Sequence, residues 1–537
     1  MRFHKSITTV LFIASALSMT TCIKRDFDKV GIDPWEPSYA VPVINGNLNM
    51  KDLAEHINED EINVVEDQNN LYYLIYRDTV QSDIAENIIK LPNQLFSTNA
   101  GLSAGKNSNL NLGIPVTNTY NEKSDFQAEN DQELVYANLK GGILTFTLNT
   151  NLPHHIDIDL TIPSLTKNGV PYTQKLQYQY QGQTAVNIAV TGDLNGYKLD
   201  LSGNGSETNK VTWNAVVNYS PSGNISVGNE SVILNLAITD LKFSLLYGDI
   251  GNYTFPEFSG RIKIEIFENA DQGEIIFNDP RLKVEIDNTF GAPAGFDLTK
   301  FETQTDYGQI VPFTSSGALN IPGPNVISYP KTIGQNSMTN YLLNKTNSNI
   351  VDAFKPAPSA LNFAVVPVIT SDGTKTNFIQ DNSQIKVYAE AEIPLDATIK
   401  IYSLQDTIKD IELPDNDYIE SVLFKIKNTN TLPIDVNIQG YWLDENNQRI
   451  DSLLISGTKL INSGAIDQNG NVLSPGIQYQ EEFFDKARYE KIKNLTKLLL
   501  VGDLKSSNQG NTPVKFYSYN ELNLQISILV NGKVEFE

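Results

Sequence analysis

Cysteine is all but missing: Cys22 stands alone among 537 residues. That excludes an intrachain disulfide and any cluster of thiolate metal ligands. Histidine is scarce too, at four residues. Positive charge is short, with 40 Lys and Arg against 63 Asp and Glu, a net charge of −23. Nucleic acid, whose binding rests on Lys and Arg neutralising phosphates, is not an expected partner. Nor is a basic patch available to hold the chain on anionic lipid. Beyond the first twenty residues no stretch approaches the roughly 18 consecutive apolar residues of a membrane helix. No P-loop is present, so one common catalytic framework has no foothold. No cofactor and no metal is implied.

What is present at the start is informative. Arg2 and Lys5 precede a mostly apolar segment, Ser6 to Met19, which ends in Thr20, Thr21 and then Cys22. A basic n-region before a short apolar h-region is the pattern of an export signal. A cysteine at the cleavage point suits bacterial lipoprotein processing, in which its thiol takes a diacylglycerol. The expected layout is a signal peptide over 1–21 and a lipidated tether over 22–36. The membrane is then a partner through the N-terminal lipid, and the location an outer-membrane, lipid-anchored one at the cell surface or periplasmic face. Cleavage before Cys22 leaves 38 basic against 63 acidic residues, a net charge of −25. The last residues, Val534-Glu-Phe-Glu537, lack the terminal aromatic on which membrane barrels close, so a body outside the bilayer is expected.

Alternation dominates the rest. Leu522, Leu524, Ile526 and Ile528 share one face while Asn523, Gln525 and Ser527 take the other, the period of a half-buried strand. Asn531-Gly532, Asn45-Gly46, Asn168-Gly169, Asn195-Gly196, Asp372-Gly373 and Asn469-Gly470 read as hairpin turns. Helices are expected only at Met50 to Ile57, Ile350 to Phe354 and Phe484 to Ile492. The fold class is all-β, as tandem sandwich-like units with a few short helices.

One motif recurs three times, over 144–153, 282–293 and 422–433, with Asn149 and Pro153, Asn288 and Pro293, and Asn428 and Pro433 at its marks. The prolines are spaced by 140 residues both times. A strand enters, meets an Asn-Thr corner with proline four or five residues after the Asn, and leaves with the same face inward, which suits a bend or a switch between sheets. Three related units follow, over 37–190, 191–330 and 331–537.

Cys22-Ile-Lys-Arg-Asp-Phe-Asp-Lys and Trp35-Glu-Pro-Ser-Tyr-Ala-Val-Pro42 resemble the start of uncharacterised outer-membrane and surface lipoproteins of the Bacteroidetes lineage. The segment 277–293 is similar to their recurring strand–Asn–Pro element and more distantly resembles the late-embryogenesis-abundant type-2 sandwich. The resemblance implies an envelope lipoprotein and brings no catalytic residues. It implies a charged surface-export tether at Lys24, Arg25, Asp26 and Asp28, and O-glycan acceptors at Thr79, Thr407 and Ser452.

Candidate chemistry is sparse. His154 and His155 follow each other at a strand start, where successive side chains point to opposite faces, so they read as a solvated strand end and not as paired ligands. His56 reads as a helix-surface residue. Asp467-Gln-Asn-Gly-Asn471 begins like a calcium loop but has Val472 and Gln478 at its sixth and twelfth places, so a hairpin turn is expected. The carboxylate pairs Asp415/Asp417 and Asp444/Glu445 fall in turns. Tyr178, Tyr180, Tyr441 and Trp442 are candidates for a sugar-stacking surface. The leading expectation is a non-enzymatic surface or periplasmic binding or scaffold lipoprotein for a polysaccharide or an envelope protein. A lipid carrier with an apolar groove and a glycoside hydrolase are the alternatives.

Overall fold

The structure, a computed structural model, describes residues 35–49, 62–203, 205–264, 273–305, 308–317, 319–355, 358–455, 457 and 459–534. Cys22, His56 and the expected helix at 50–57 lie outside them. The all-β expectation holds: strands fill several sheets and the helices are short.

Three sandwich-like pieces are built from these sheets. In the first, a ten-stranded sheet folds over one core. One arm is Val186–Asp193, Glu133–Thr150, Val232–Asp249, Gln94–Asn99 and Phe378–Gln380; the other is Val170–Tyr178, His155–Lys167, Lys210–Ser220 and Val116–Asp125. The short strand Lys198–Asp200 pairs with both arms. Strict alternation along Lys210–Ser220 buries Val211, Trp213, Ala215, Val217 and Tyr219, as a period-2 strand must.

The second piece sets a five-stranded sheet against a six-stranded one. The first sheet runs Ile62–Glu66, Tyr72–Gln81, Ile385–Pro394, Arg281–Asn288, Ser337–Leu343; the second is centred on Ala294–Gln304 and Ala360–Ile369. Phe296 and Tyr341 meet edge to face across them, 6.2 Å apart. In the third piece, a four-stranded sheet of Ser38–Asn49, Glu521–Gly532, Ile419–Asn430 and Gly476–Asp485 faces a seven-stranded one. Asp396–Ile408, Lys497–Ser506 and Ile434–Leu443 form the middle of that second sheet. Phe424 lies 6.1 Å from Trp442 and 4.9 Å from Phe484, at the heart of a separate hydrophobic cluster.

The pieces are nested along the chain, not consecutive, which corrects the division at 190 and 330. Residue 190 falls inside Val186–Asp193, in the middle of the first sandwich. Tyr72–Gln81 pairs with Ile385–Pro394 across the whole first sandwich. Ser38–Asn49 pairs with Glu521–Gly532 around everything else. That last pairing also removes two expected hairpins. Asn45-Gly46 and Asn531-Gly532 lie inside strands, paired at Asn45↔Gln525 and Asn531↔Ser38. Asn168-Gly169 does turn, with φ of 53° and 79°, the signs a type I′ turn requires.

The helix at Ile350–Ala353 sits where it is expected. The one expected from Phe484 begins later, at Lys486–Ile492, because Phe484 and Asp485 still pair in the preceding strand. Asp485 caps it by accepting the Arg488 N–H at 2.8 Å. Ala104–Asn111 is a helix that the sequence patterning did not mark.

Candidate functional site

The three recurrent corners are real structural elements, but the residue that makes each one is not always the expected asparagine. The corner-making side chains belong to Thr150, Asn288 and Asn430, each the last residue of its strand and buried. Each accepts the backbone N–H two residues ahead. Thr150 Oγ1 takes Leu152 N at 3.0 Å, Asn288 Oδ1 takes Phe290 N at 2.9 Å and Asn430 Oδ1 takes Leu432 N at 2.9 Å. Each also donates to a carbonyl: Ser231 O at 2.9 Å, Ser328 O at 2.9 Å, and Ile434 O at 2.8 Å. Leu152, Phe290 and Leu432 plug the core behind them. Beyond Pro153 the chain passes to the other arm of the first sandwich; beyond Pro293 and Pro433 it enters the facing sheet. Asn149 is therefore one residue early and Asn428 two, while Asn288 is the corner residue itself.

The expected aromatic surface is not assembled. Tyr178 and Trp442 are buried in the cores of the first and third sandwiches respectively. Tyr180 lies past the end of Val170–Tyr178 and is half-buried, its N–H donated to His155 Nδ1 at 3.0 Å. Tyr441, on the opposite face of its strand from Trp442, is covered by the Arg449 guanidinium 4.2 Å from its ring centre.

His154 is fully buried, against the expectation of a solvated strand end. The loop that follows Lys210–Ser220 closes over it, with Ser222 N–H donated to Nδ1 at 3.3 Å. Burial holds its pKa below the ordinary histidine range, with Glu230 pulling the other way. Among the described residues no three His, Cys, Asp or Glu side chains form a metal-holding group.

The carboxylates likewise serve the scaffold. Asp467 accepts the N–H groups of Asn469 and Asn471, both at 2.8 Å, and the Asn471 side-chain amide at 2.7 Å. That is a hairpin turn with its oxygens already engaged. Asp415 pairs with Lys493 at 2.8 Å, and Asp444 accepts Gln448 N–H at 2.7 Å. Asp451, beside Ser452, is forked by Arg488. Glu230, Asp372, Glu390, Asp451 and Asp467 all have pKa values below the ordinary carboxylate range. A glycosidase general acid needs the opposite displacement.

The region with unspent recognition chemistry is the third sandwich around Gly476–Asp485. Among the described residues this strand pairs with Ile419–Asn430 on one side and with no strand on the other. Its outward positions Ile477, Tyr479 and Phe483 are 53%, 74% and 54% exposed, and Glu481 in the same row pairs loosely with Lys425 at 3.6 Å. The Lys427 ammonium lies 5.9 Å from the Tyr479 ring centre. Pro42, Lys425, Lys427, Glu481 and Gln525 border a surface recess of about 570 Å³ there. On the inner side a cavity of about 180 Å³ lies between the two sheets. Sequence patterning did not find this edge; the alternation Ile477, Tyr479, Glu481, Phe483 was the available signal.

No protein-family model matches the chain, and no curated protein matches it in sequence. Among solved structures, a candidate secreted protein from Parabacteroides distasonis is similar over 52% of this chain and 83% of its own, at 15% identity and a TM-score of 0.31. A triple jelly-roll structure from an archaeal virus aligns over 78% of this chain and 91% of its own, at 9% identity and a TM-score of 0.11. The Gx strain of infectious bursal disease virus gives 89% and 81% coverage, 9% identity and a TM-score of 0.13. Likenesses this shallow carry no weight below.

Proposed function

We propose that this chain is a lipid-anchored protein of the cell envelope whose third sandwich docks a partner protein, without catalysis of its own. The observation that carries the docking is the one-sided strand Gly476–Asp485, with Ile477, Tyr479 and Phe483 exposed along it. An unpaired strand edge offers main-chain donors and acceptors to an extended segment, and alternate side chains beside it give specificity. The occupant that fits is an extended strand of another envelope protein. Polysaccharide binding loses its support with Tyr178 and Trp442 buried. Lipid carriage finds little room: cavities between the sheets of the second and third sandwiches are about 40 and 180 Å³, against the 300–1,000 Å³ or so of ordinary ligand pockets.

A photoreactive residue placed at Tyr479 in intact cells should give one discrete adduct with an envelope protein. The same probe at Leu95, exposed on the first sandwich, should give none, and Phe483→Asp should abolish the adduct from position 479. Equal labelling from both positions, or none from either, would remove the docking proposal.

Anchoring is tested separately. Cys22→Ala should move the protein from the membrane fraction to the soluble one. Protease shaving of intact wild-type cells then assigns the face: loss of signal places the body outside, protection places it in the periplasm. A variant that stays as membrane-bound as the wild type would end the lipid-anchor reading.

A further inference from the structure

We infer that the cavity between the sheets of the third sandwich is a binding site for a compact, neutral, mostly apolar molecule carrying one hydrogen-bond donor, received by Asn428. This goes beyond the docking edge, concerns the inner face of the same sheet, and neither reading depends on the other.

The three corners supply an internal comparison. Two residues before Thr150 and Asn288 stand Leu148 and Ile286, both buried in their cores. Two residues before Asn430 stands Asn428, only 6% exposed. The equivalent corner hydrogen bonds, from Leu432 N–H and to Ile434 O, are made by Asn430 and not by Asn428. Among the described residues the Asn428 Oδ1 atom has no hydrogen-bond partner, whereas buried polar groups are ordinarily paired. Keeping such an amide where an aliphatic residue fits is a cost without a structural return.

The space in front of it matches. The cavity is lined by Ile426, Ile438, Leu500, Leu524 and Ile526, with the amides of Asn428, Gln478 and Gln480 and no charged side chain, so a neutral guest is favoured. Its volume of about 180 Å³ exceeds that of an apolar void known to admit benzene, about 150 Å³. The corresponding cavity in the second sandwich, beside Ile286, is about 40 Å³ and lined by apolar residues alone. Polar replacement and the larger of these two cavities thus coincide in the third sandwich.

Indole and indene, the same bicycle with and without an N–H, separate the alternatives. With the full chain, methyl NMR signals of Ile426, Ile438 and Leu524 should shift on titration, with indole binding about tenfold tighter than indene. Asn428→Leu should keep the fold by thermal unfolding and erase that preference. Ile438→Phe, which fills the cavity from the facing sheet, should abolish binding of both. The inference is overturned by silence of these methyls towards both probes, which would mean a water-filled void only. Equal affinities in the wild type, or a preference that survives Asn428→Leu, would overturn it too.

Discussion

Trp442→Ala is expected to destabilise the third sandwich by about 3–5 kcal/mol, the range for removing a large aromatic from a packed core. The indole is 1% exposed and packs against Phe424, which in turn meets Phe484 edge-on. These three side chains come from both facing sheets, so the loss falls at the place where the sheets hold together. Tyr441→Ala, one residue away, removes a half-buried ring on the other face that lies under the Arg449 guanidinium. Its cost should stay near 1 kcal/mol, the scale of an exposed cation–π contact. Urea unfolding followed by circular dichroism, beside limited proteolysis, measures both. The third sandwich includes Ser38–Asn49 and Glu521–Gly532, so proteolysis of Trp442→Ala should begin at both ends of the described chain. A Trp442→Ala protein as stable as wild type but unable to bind a glycan would restore the sugar-stacking surface that the burial of this residue argues against.

The contrast between Tyr441 and Trp442 also shows what sequence can disclose here. Period-2 alternation assigns the faces of a strand, and it places Trp442 and Tyr441 oppositely, as it does His154 and His155. It cannot say which face is covered by a distant segment. His154 is enclosed because Ser222, far along the chain, closes over it. Pairing order is illegible for the same reason. Nothing near Asn45-Gly46 announces that Glu521–Gly532 will take the adjacent position and keep that dipeptide extended. The corners were legible because their signal is local: strand phase, a polar residue at the strand's end and a proline that cannot continue the ladder. Their fine position was not: Thr150 and Asn149 differ only in which side faces the core, and Asn430 and Asn428 share the inward side of one strand.

That difference of two residues yields the other large prediction. Asn430→Ala should destabilise the protein by about 3–5 kcal/mol, because it strands several buried backbone groups at about 1–3 kcal/mol each. Leu432 N–H loses its acceptor, while Ile434 O and Asn462 O lose the donor that reaches them at 2.8 and 3.2 Å. Asn288→Ala should behave alike, stranding Phe290 N–H and Ser328 O. Asn428→Leu should change stability by less than about 1 kcal/mol or raise it, since the amide oxygen it deletes is already unpaired. Denaturation midpoints of the three variants at constant m-value are the measurement. The same side chain is thus expected to be indispensable at one inward position and dispensable for folding at the next. Equal losses at 428 and 430 would mean that Asn428 is part of the corner after all, and would take away the reason for assigning it to a ligand. A loss confined to 430 leaves a buried asparagine that folding does not require, facing the cavity of its own sandwich.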